Sequence, residues 1–142
     1  MTAGQPIHAT TVAVRRRGAW RGVMILGPSG AGKSDLALRL IRRGWRLVSD
    51  DYTQVWASDG AVHASAPASI AGRIEVRGLG IVAARTRPVC RVALAVACIA
   101  EGVERLPEPQ TRAFAGVDLP LLPLDPRPAS AVDVVAAALE TL

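Results

Sequence analysis

The sequence contains few aromatic residues, few cysteines and no long apolar segment. Aromatic residues make up 4% of its 142 residues, so the core has to be aliphatic, and the stacking platform that single-stranded nucleic acid uses is missing. The two cysteines, Cys90 and Cys98, lie in an apolar run and form no metal or redox motif, which predicts reduced core residues in a cytoplasmic protein. No apolar run reaches the ~18 residues of a membrane span, and no signal-peptide pattern opens the chain, so we expect no membrane association.

Basic residues outnumber acidic ones, which gives a formal net charge of +5 at pH 7. Such a balance can indicate nucleic-acid binding, but the arginines are dispersed, and their one cluster, at residues 15–17, falls in a predicted hairpin loop. An acidic nucleotide or an acidic protein partner accounts for the charge equally well. We therefore expect no nucleic-acid partner, and the length predicts a single domain over residues 1–142.

One glycine-rich segment matches the phosphate-loop pattern G-x-x-x-x-G-K-[ST] at every fixed position. In this pattern the glycines allow successive backbone N–H groups to point at phosphate oxygens, the lysine reaches the β- and γ-phosphates, and the last hydroxyl ligates Mg²⁺. The predicted nucleotide-binding residues are Gly27, Pro28, Ser29, Gly30, Ala31, Gly32, Lys33 and Ser34.

The flanking segments give this pattern the setting that it requires. Residues 22–26 form a short apolar run typical of a buried strand. Residues 34–43 carry aliphatic side chains at helical spacing with arginines on the opposite face, and Gly44 is a natural stop. A strand, a glycine loop and an anion-attracting helix N-terminus thus follow one another. The alternative is a glycine-rich turn with no ligand.

A second short strand, over residues 46–49, ends on two adjacent carboxylates, Asp50 and Asp51. Catalytic or metal-binding acids lie at the carboxyl ends of strands in α/β sheets, although aspartate pairs are also common in simple turns. A phosphate-loop enzyme needs such an acid near Mg²⁺ or near the attacking nucleophile. Farther on, Glu75 stands in a strand-like segment beside two glycines and offers Mg²⁺ a hard oxygen ligand. The alternative for Glu75 is a solvated charged turn.

The remaining segments predict a mixture of strands and helices. Residues 7–14 and 22–26 form a hairpin that leads into the phosphate loop, and Asp59-Gly60 predicts a second hairpin. Residues 89–100 form a long central strand, whereas residues 114–124, which two prolines interrupt, form an edge strand at best. Ser130 begins a final helix, and Asp133 completes a capping box.

These motifs together resemble the catalytic domain of bacterial HPr kinase/phosphorylase. The loop, helix and strand follow that family's register, G-x-S-G-x-G-K-S-x-x-A-L-x-L-I-x-R-G-x-x-L-V-x-D-D, and residues 74–82 are similar to its second signature, E-[IV]-R-G-L-G-I. Generic phosphate-loop proteins lack this second signature, so it is specific. The chain starts almost at the catalytic domain, and we expect a short form without the family's N-terminal domain. Residues 124–128 match the family's P-V-[RK]-P-G-R-N stretch poorly.

The resemblance implies a fold and a role for individual residues. The fold is that of the P-loop-containing HPr kinase/PEP carboxykinase-like catalytic domains, an α/β mixed sheet with flanking helices. Lys33 holds phosphates, Ser34 and Glu75 hold Mg²⁺, and Asp51 is the catalytic acid/base. His8 and Arg105 match further active-site positions.

The activity that the resemblance implies is phosphorylation of the HPr phosphocarrier protein of the bacterial phosphotransferase system, on serine, with ATP and Mg²⁺. It also implies a reverse reaction, in which inorganic phosphate attacks phosphoserine and releases pyrophosphate, and a homo-oligomer, which is a hexamer in the family. Two other functions are open. One is a small-molecule P-loop kinase, although no arginine-rich lid is recognisable. The other is a nucleotide-sensing regulatory module without kinase activity, against which an acid beside an intact loop argues.

Overall fold

The computed structural model describes residues 5–142, and ten strands and two α-helices lie in this part of the chain. Most strands join one mixed sheet, and two short ones form a separate ribbon. The predicted mixed sheet is therefore confirmed. The elements are β1 Pro6–Arg16, β2 Ala19–Leu26, α1 Lys33–Arg42, β3 Arg46–Ser49, β4 Tyr52–Ser58, β5 Ala61–Ser65, a 3₁₀ turn at Ala68–Ile70, β6 Arg73–Val76, β7 Gly80–Ala83, β8 Val89–Cys98, β9 Gln110–Phe114, β10 Val117–Leu124 and α2 Ala131–Glu140.

Strand pairing closes part of the main sheet into a ring. β1 pairs with β2 and β4, β5 connects β4 to β8, and β8 returns to pair with β2 in parallel. β3 also pairs with β1, while β10 and β9 continue the sheet beyond β8. The long apolar strand β8 is therefore central, as its sequence predicts.

Alternate residues of β1 and β2 point to opposite faces of the sheet and so contribute to two separate cores. Val12 and Ile25 pack with side chains of both helices on one face. Ala13 and Met24, which are adjacent to them in sequence, belong to a second cluster made of strand residues. Both helices thus cover the same face of the sheet, and the phosphate loop lies where β2 passes into α1.

The two helices differ in how well their ends were predicted. Helix α1 buries Leu36 and Leu40 as expected, and Gly44 ends it with a left-handed φ of 97°. The predicted capping box of α2 is wrong. Ser130 has helical angles and makes no side-chain cap, whereas a capping residue needs non-helical ones. Asp133 instead accepts a hydrogen bond at 2.6 Å from Arg43, which directly follows α1, because the guanidinium offers it a charged donor.

The prediction of an edge strand over residues 114–124 is also wrong. This segment contains a turn followed by β10, which pairs with β8 on one side and β9 on the other. Pro120 precedes the residues of β10 that pair with β8, and Pro123 lies beyond those that pair with β9. Each proline therefore has one side without a ladder partner, where a missing N–H is tolerated.

The hairpin before the phosphate loop is tighter than the sequence indicated. Its turn consists of Arg17 and Gly18, both with positive φ, and residues 15 and 16 belong to β1. Asp59 and Gly60 form the second predicted hairpin turn with similar angles, so that prediction is confirmed. Both have the type I′ signature that suits the twist of the strands. Over residues 5–142, no helix is long and apolar enough to cross a membrane.

Candidate catalytic site

The phosphate loop packs tightly against its surroundings at two glycines. A β-carbon on Gly27 would lie 3.0 Å from that of Ala31 and 3.2 Å from that of Cys98 on β8. Gly32 has a left-handed φ of 100°, and its carbonyl accepts a hydrogen bond from the N–H of Leu36 at 3.0 Å as α1 begins. Only glycine fits these positions without strain, which is why the pattern fixes them.

Lys33 is the first residue of α1, and its side chain is 4% exposed. Its Nζ donates a hydrogen bond to the carbonyl oxygen of Pro28 at 3.0 Å and lies 3.9 Å from Oδ1 of Asp51. The ammonium group therefore folds back over the loop and stands between it and a carboxylate. Lys33 is the single lysine in the sequence. Every other residue in its total of lysines and arginines is an arginine.

Asp50 connects three segments of the chain through a buried carboxylate. Its Oδ1 accepts hydrogen bonds from the hydroxyls of Ser34 at 2.6 Å and Thr10 at 3.1 Å. Its Oδ2 accepts one from the backbone N–H of Glu75 at 3.0 Å. These charge-assisted bonds fix the carboxylate in one orientation and hold β1, α1 and β6 together at the site.

Asp51 points away from Asp50, toward the open side of the site. Its Oδ1 lies 2.7 Å from Nε2 of His8, and its side chain is 49% exposed. The backbone explains the divergence, because Asp51 has a left-handed φ of 66° where the chain turns from β3 into β4. Its N–H donates to the hydroxyl of Thr10 at 3.0 Å, which holds the turn. The two neighbouring carboxylates therefore face different sides of the turn.

Thr10 and Tyr52 also belong to the site, although no sequence motif points to them. Thr10 bonds both aspartates, and the ring of Tyr52 stacks on that of His8 with centroids 5.2 Å apart. The positions of both residues can be related to that of His8. Thr10 lies two residues after His8 on β1 and therefore faces the same side, and Tyr52 is the cross-strand partner of His8 in the β1–β4 register.

The oxygens at Asp50 suit Mg²⁺. The hydroxyl of Ser34 and the carboxylate of Asp50 supply hard oxygens, which Mg²⁺ prefers, and the exposed side chain of Glu75 offers a further carboxylate. The hydrogen bond from the N–H of Glu75 brings that residue to the same carboxylate that Ser34 contacts. In the described part of the chain, no three His, Cys, Asp or Glu side chains group into a metal site. A metal ion here would therefore take its other ligands from phosphate oxygens and water.

The segment at residues 125–128 packs against the phosphate loop, although its sequence departs from the family's stretch. Cγ of Pro126 would lie 3.2 Å from a β-carbon on Gly32. Arg39 of α1 donates hydrogen bonds to the carbonyl of Pro126 and, at 3.2 Å, to that of Pro128. The segment thus forms a wall behind the loop and is held to the last turn of α1.

Burial raises the pKa of both cysteines from the ordinary value of 9.0, that of Cys90 to about 12 and that of Cys98 to about 11. The charge of Lys33 opposes the shift at Cys98. Both cysteines are free thiols, as predicted, and remain protonated at neutral pH. In the wall behind the loop, hydrogen bonds from Arg127 lower the pKa of Asp125.

Arg105 lies in the exposed loop between β8 and β9. It takes part in none of the hydrogen bonds that connect Asp50, Asp51 and Lys33. Its place in the site remains a prediction.

A family comparison agrees with this geometry. The family model of the HPr Serine kinase C-terminal domain matches residues 1–87, which include His8, the phosphate loop, both aspartates and Glu75. The chain belongs to the HPr kinase C-terminal domain family. Arg105 and the wall at residues 125–128 lie outside the matched span of the HPr kinase domain.

Individual HPr kinases are similar to parts of this chain. The HPr kinase/phosphorylase of Clostridium botulinum (strain Eklund 17B / Type B) is 49% identical over 61 residues, which are 43% of this chain and 20% of that protein. The HPr kinase/phosphorylase of Clostridium kluyveri is 51% identical over 61 residues, with the same shares. The chain thus spans 20% of the length of these curated relatives.

A solved structure extends the likeness to nearly the whole chain. The Hpr(Ser) kinase/phosphatase from Coxiella burnetii superposes with a TM-score of 0.78, covering 96% of this chain and 95% of that chain. The two share 23% sequence identity, so the match establishes the fold. It includes β8 to α2, the part of the chain that the family model does not match.

Proposed function

We propose that this chain is a serine kinase that transfers the γ-phosphoryl group of ATP to the phosphocarrier protein HPr, with Mg²⁺. The observation that carries the proposal is the position of Asp51. Its carboxylate is half exposed, lies 2.7 Å from His8 and 3.9 Å from Lys33, and adjoins an intact phosphate loop. Phosphoryl transfer to a hydroxyl needs such a base next to a cation at the phosphates.

The phosphates would bind at the N-terminal end of α1. The N–H groups of the loop and the helix dipole attract phosphate oxygens, and Lys33 exchanges its bond to the Pro28 carbonyl for bonds to the β- and γ-phosphates. Ser34, Asp50 and Glu75 would hold Mg²⁺, which neutralises charge on the transferring group.

Asp51 would accept the proton of the serine hydroxyl and return it in the reverse reaction. In the forward direction the serine oxygen attacks the γ-phosphorus while its proton passes to the Asp51 carboxylate, and ADP leaves. In the reverse direction the protonated Asp51 returns the proton to the serine oxygen as inorganic phosphate takes the phosphoryl group and becomes pyrophosphate. His8 keeps the carboxylate in place during both reactions. The name HPr kinase/phosphorylase of the curated relatives supports both the substrate and the reversibility.

One experiment tests the proposal directly. The protein is incubated with labelled ATP, Mg²⁺ and the HPr of the same genome, and phosphoserine on HPr is measured. Omission of Mg²⁺ and an HPr whose accepting serine is replaced by alanine are the controls. We expect label on wild-type HPr alone. After addition of inorganic phosphate, the labelled phosphoryl group should be released from HPr as pyrophosphate. ATP binding without any phosphoserine would contradict the kinase and favour a nucleotide-sensing module.

A further inference from the structure

The β6–β7 ribbon, residues 73–83, has one face on the core and one in the open. Ile74 is 1% exposed, and Val76 and Val82 pack against the helix-side core. Because side chains alternate along a strand, the intervening residues face away from the core. In the antiparallel register Glu75 lies directly opposite Ile81, so the predicted metal ligand and an aliphatic side chain stand next to each other on the outer face.

The outer face and tip of the ribbon expose two large aliphatic side chains. Ile81 is 70% exposed, and Leu79, in the turn that leads into β7, is 73% exposed. Single exposed apolar residues are common on protein surfaces. These two lie close together on one hairpin and beside a proposed metal ligand, which favours a binding role over chance exposure of single residues.

Positive charge borders this pair of side chains. Arg73 on the outer face and Arg77 in the turn are both exposed. Neither takes part in an ion pair among residues 5–142. The neighbouring Glu75 would be neutralised by Mg²⁺. A complementary surface would thus be apolar at its centre and carry carboxylates at its rim.

The ribbon is also fixed to the reaction centre. The N–H of Glu75 is bonded to Asp50 at 3.0 Å, and Asp50 contacts Ser34 of the phosphate loop. A protein that presents a serine to Asp51 next to this loop must cover the neighbouring surface. The outer face of the ribbon adds Leu79 and Ile81 to that surface, which also contains the exposed ring of Tyr52.

We infer that Arg73, Arg77, Leu79 and Ile81 form a docking face for the acceptor protein. Leu79 and Ile81 contact apolar side chains next to the accepting serine, and the arginines pair with carboxylates around them. The inference rests on the proposed function, because it concerns how the acceptor of that reaction is recognised. It assigns substrate affinity to residues that take no part in the chemistry.

The test replaces both aliphatic side chains in one variant, Leu79→Ser/Ile81→Ser. Since both are exposed, the variant should keep its melting temperature and its affinity for a fluorescent ATP analogue. We expect the KM for HPr, and the Kd for HPr in a direct titration, to rise by about tenfold or more, with kcat at saturating HPr nearly unchanged. The matched control is Val134→Ser on the outer side of α2, where the valine is 40% exposed, and it should alter neither constant.

Each outcome bears on the inference separately from the proposed function. An unchanged KM and Kd in the double variant would overturn the docking face while leaving the kinase intact. If the wild-type protein transfers no phosphate to HPr, the proposed function fails, and the direct titration still decides whether the face binds HPr. A change in oligomeric state of the double variant, measured by light scattering, would show that the face contacts a second copy of the chain and would also overturn the inference.

Discussion

The two adjacent aspartates allow the site to be tested by one matched pair of substitutions. In Asp50→Asn the side-chain shape is kept, but one oxygen becomes an NH₂ donor. If Oδ1 remains an acceptor for Ser34 and Thr10, the new NH₂ group faces the N–H of Glu75, which then has no acceptor. This hydrogen bond is partly buried, so leaving its donor unsatisfied should cost about 1 kcal/mol, the low end of the range for buried groups. For a chain of this size, each kcal/mol of lost stability lowers the melting temperature by about 4 °C. The loss of stability is therefore readily measured by thermal unfolding.

Asp51→Asn should behave in the opposite way. The carboxylate is 49% exposed and its partner His8 is 34% exposed, so solvent screens the pair, and its loss should change the free energy of unfolding by less than about 1 kcal/mol. Asparagine cannot accept the serine proton, however, and removing a general base lowers the rate by roughly 100- to 10,000-fold. We therefore expect a stable, nucleotide-binding protein with very slow transfer.

Two assays on the same preparations separate these effects. Thermal unfolding gives the stability of each variant, and a single-turnover transfer assay at saturating ATP and Mg²⁺ gives the chemical step. Asp50→Asn should lower the melting temperature and raise the Mg²⁺ concentration needed for half-maximal rate. If Asp51→Asn transfers phosphate at the wild-type rate while Asp50→Asn does not, the base has been assigned to the wrong aspartate.

Three further results are expected. Lys33→Ala should lower the transfer rate by roughly 100- to 1000-fold in the same assay, and near wild-type transfer would exclude a catalytic loop. Glu75→Gln should raise the Mg²⁺ requirement in a titration without changing stability, because Asp50 binds the backbone N–H of this residue and not its side chain. Thermal unfolding should show stability falling as pH rises above about 9, because the thiols of Cys90 and Cys98 stay protonated in the folded state up to pH of about 11–12. The Cys90→Ala/Cys98→Ala variant should lack that part of the decline.

The features that the sequence predicts well are those whose signals are local. The phosphate loop requires glycine at positions 27 and 32 because of their positive φ angles and close contacts. These two positions lie only a few residues apart. Helix α1 is predicted by its apolar face and by Gly44, and the hairpin turn at Asp59-Gly60 by a single dipeptide. In each case the residue and the physical constraint lie in the same short segment.

The features that the sequence does not predict depend on contacts between distant segments. Pro120 and Pro123 argue against a paired strand locally, and only the offset between the β8 and β9 pairings makes them acceptable in β10. Asp133 does not take part in the expected cap of α2, because it accepts a hydrogen bond from Arg43, which is ninety positions away in the sequence and lies across the helix interface. The closure of the sheet by β2 and β8 has no local signal in either strand.

The divergence of the two aspartates shows how a local conformation and a distant contact together set the geometry of the site. Two neighbours on a regular strand already point to opposite faces, but β3 ends at Ser49, and Asp51 adopts a left-handed conformation that is uncommon outside glycine. The hydroxyl of Thr10 holds this turn by accepting from the N–H of Asp51 while donating to Asp50. One threonine thus holds both the inward carboxylate of Asp50, the proposed metal ligand, and the turn from which Asp51, the proposed base, points outward.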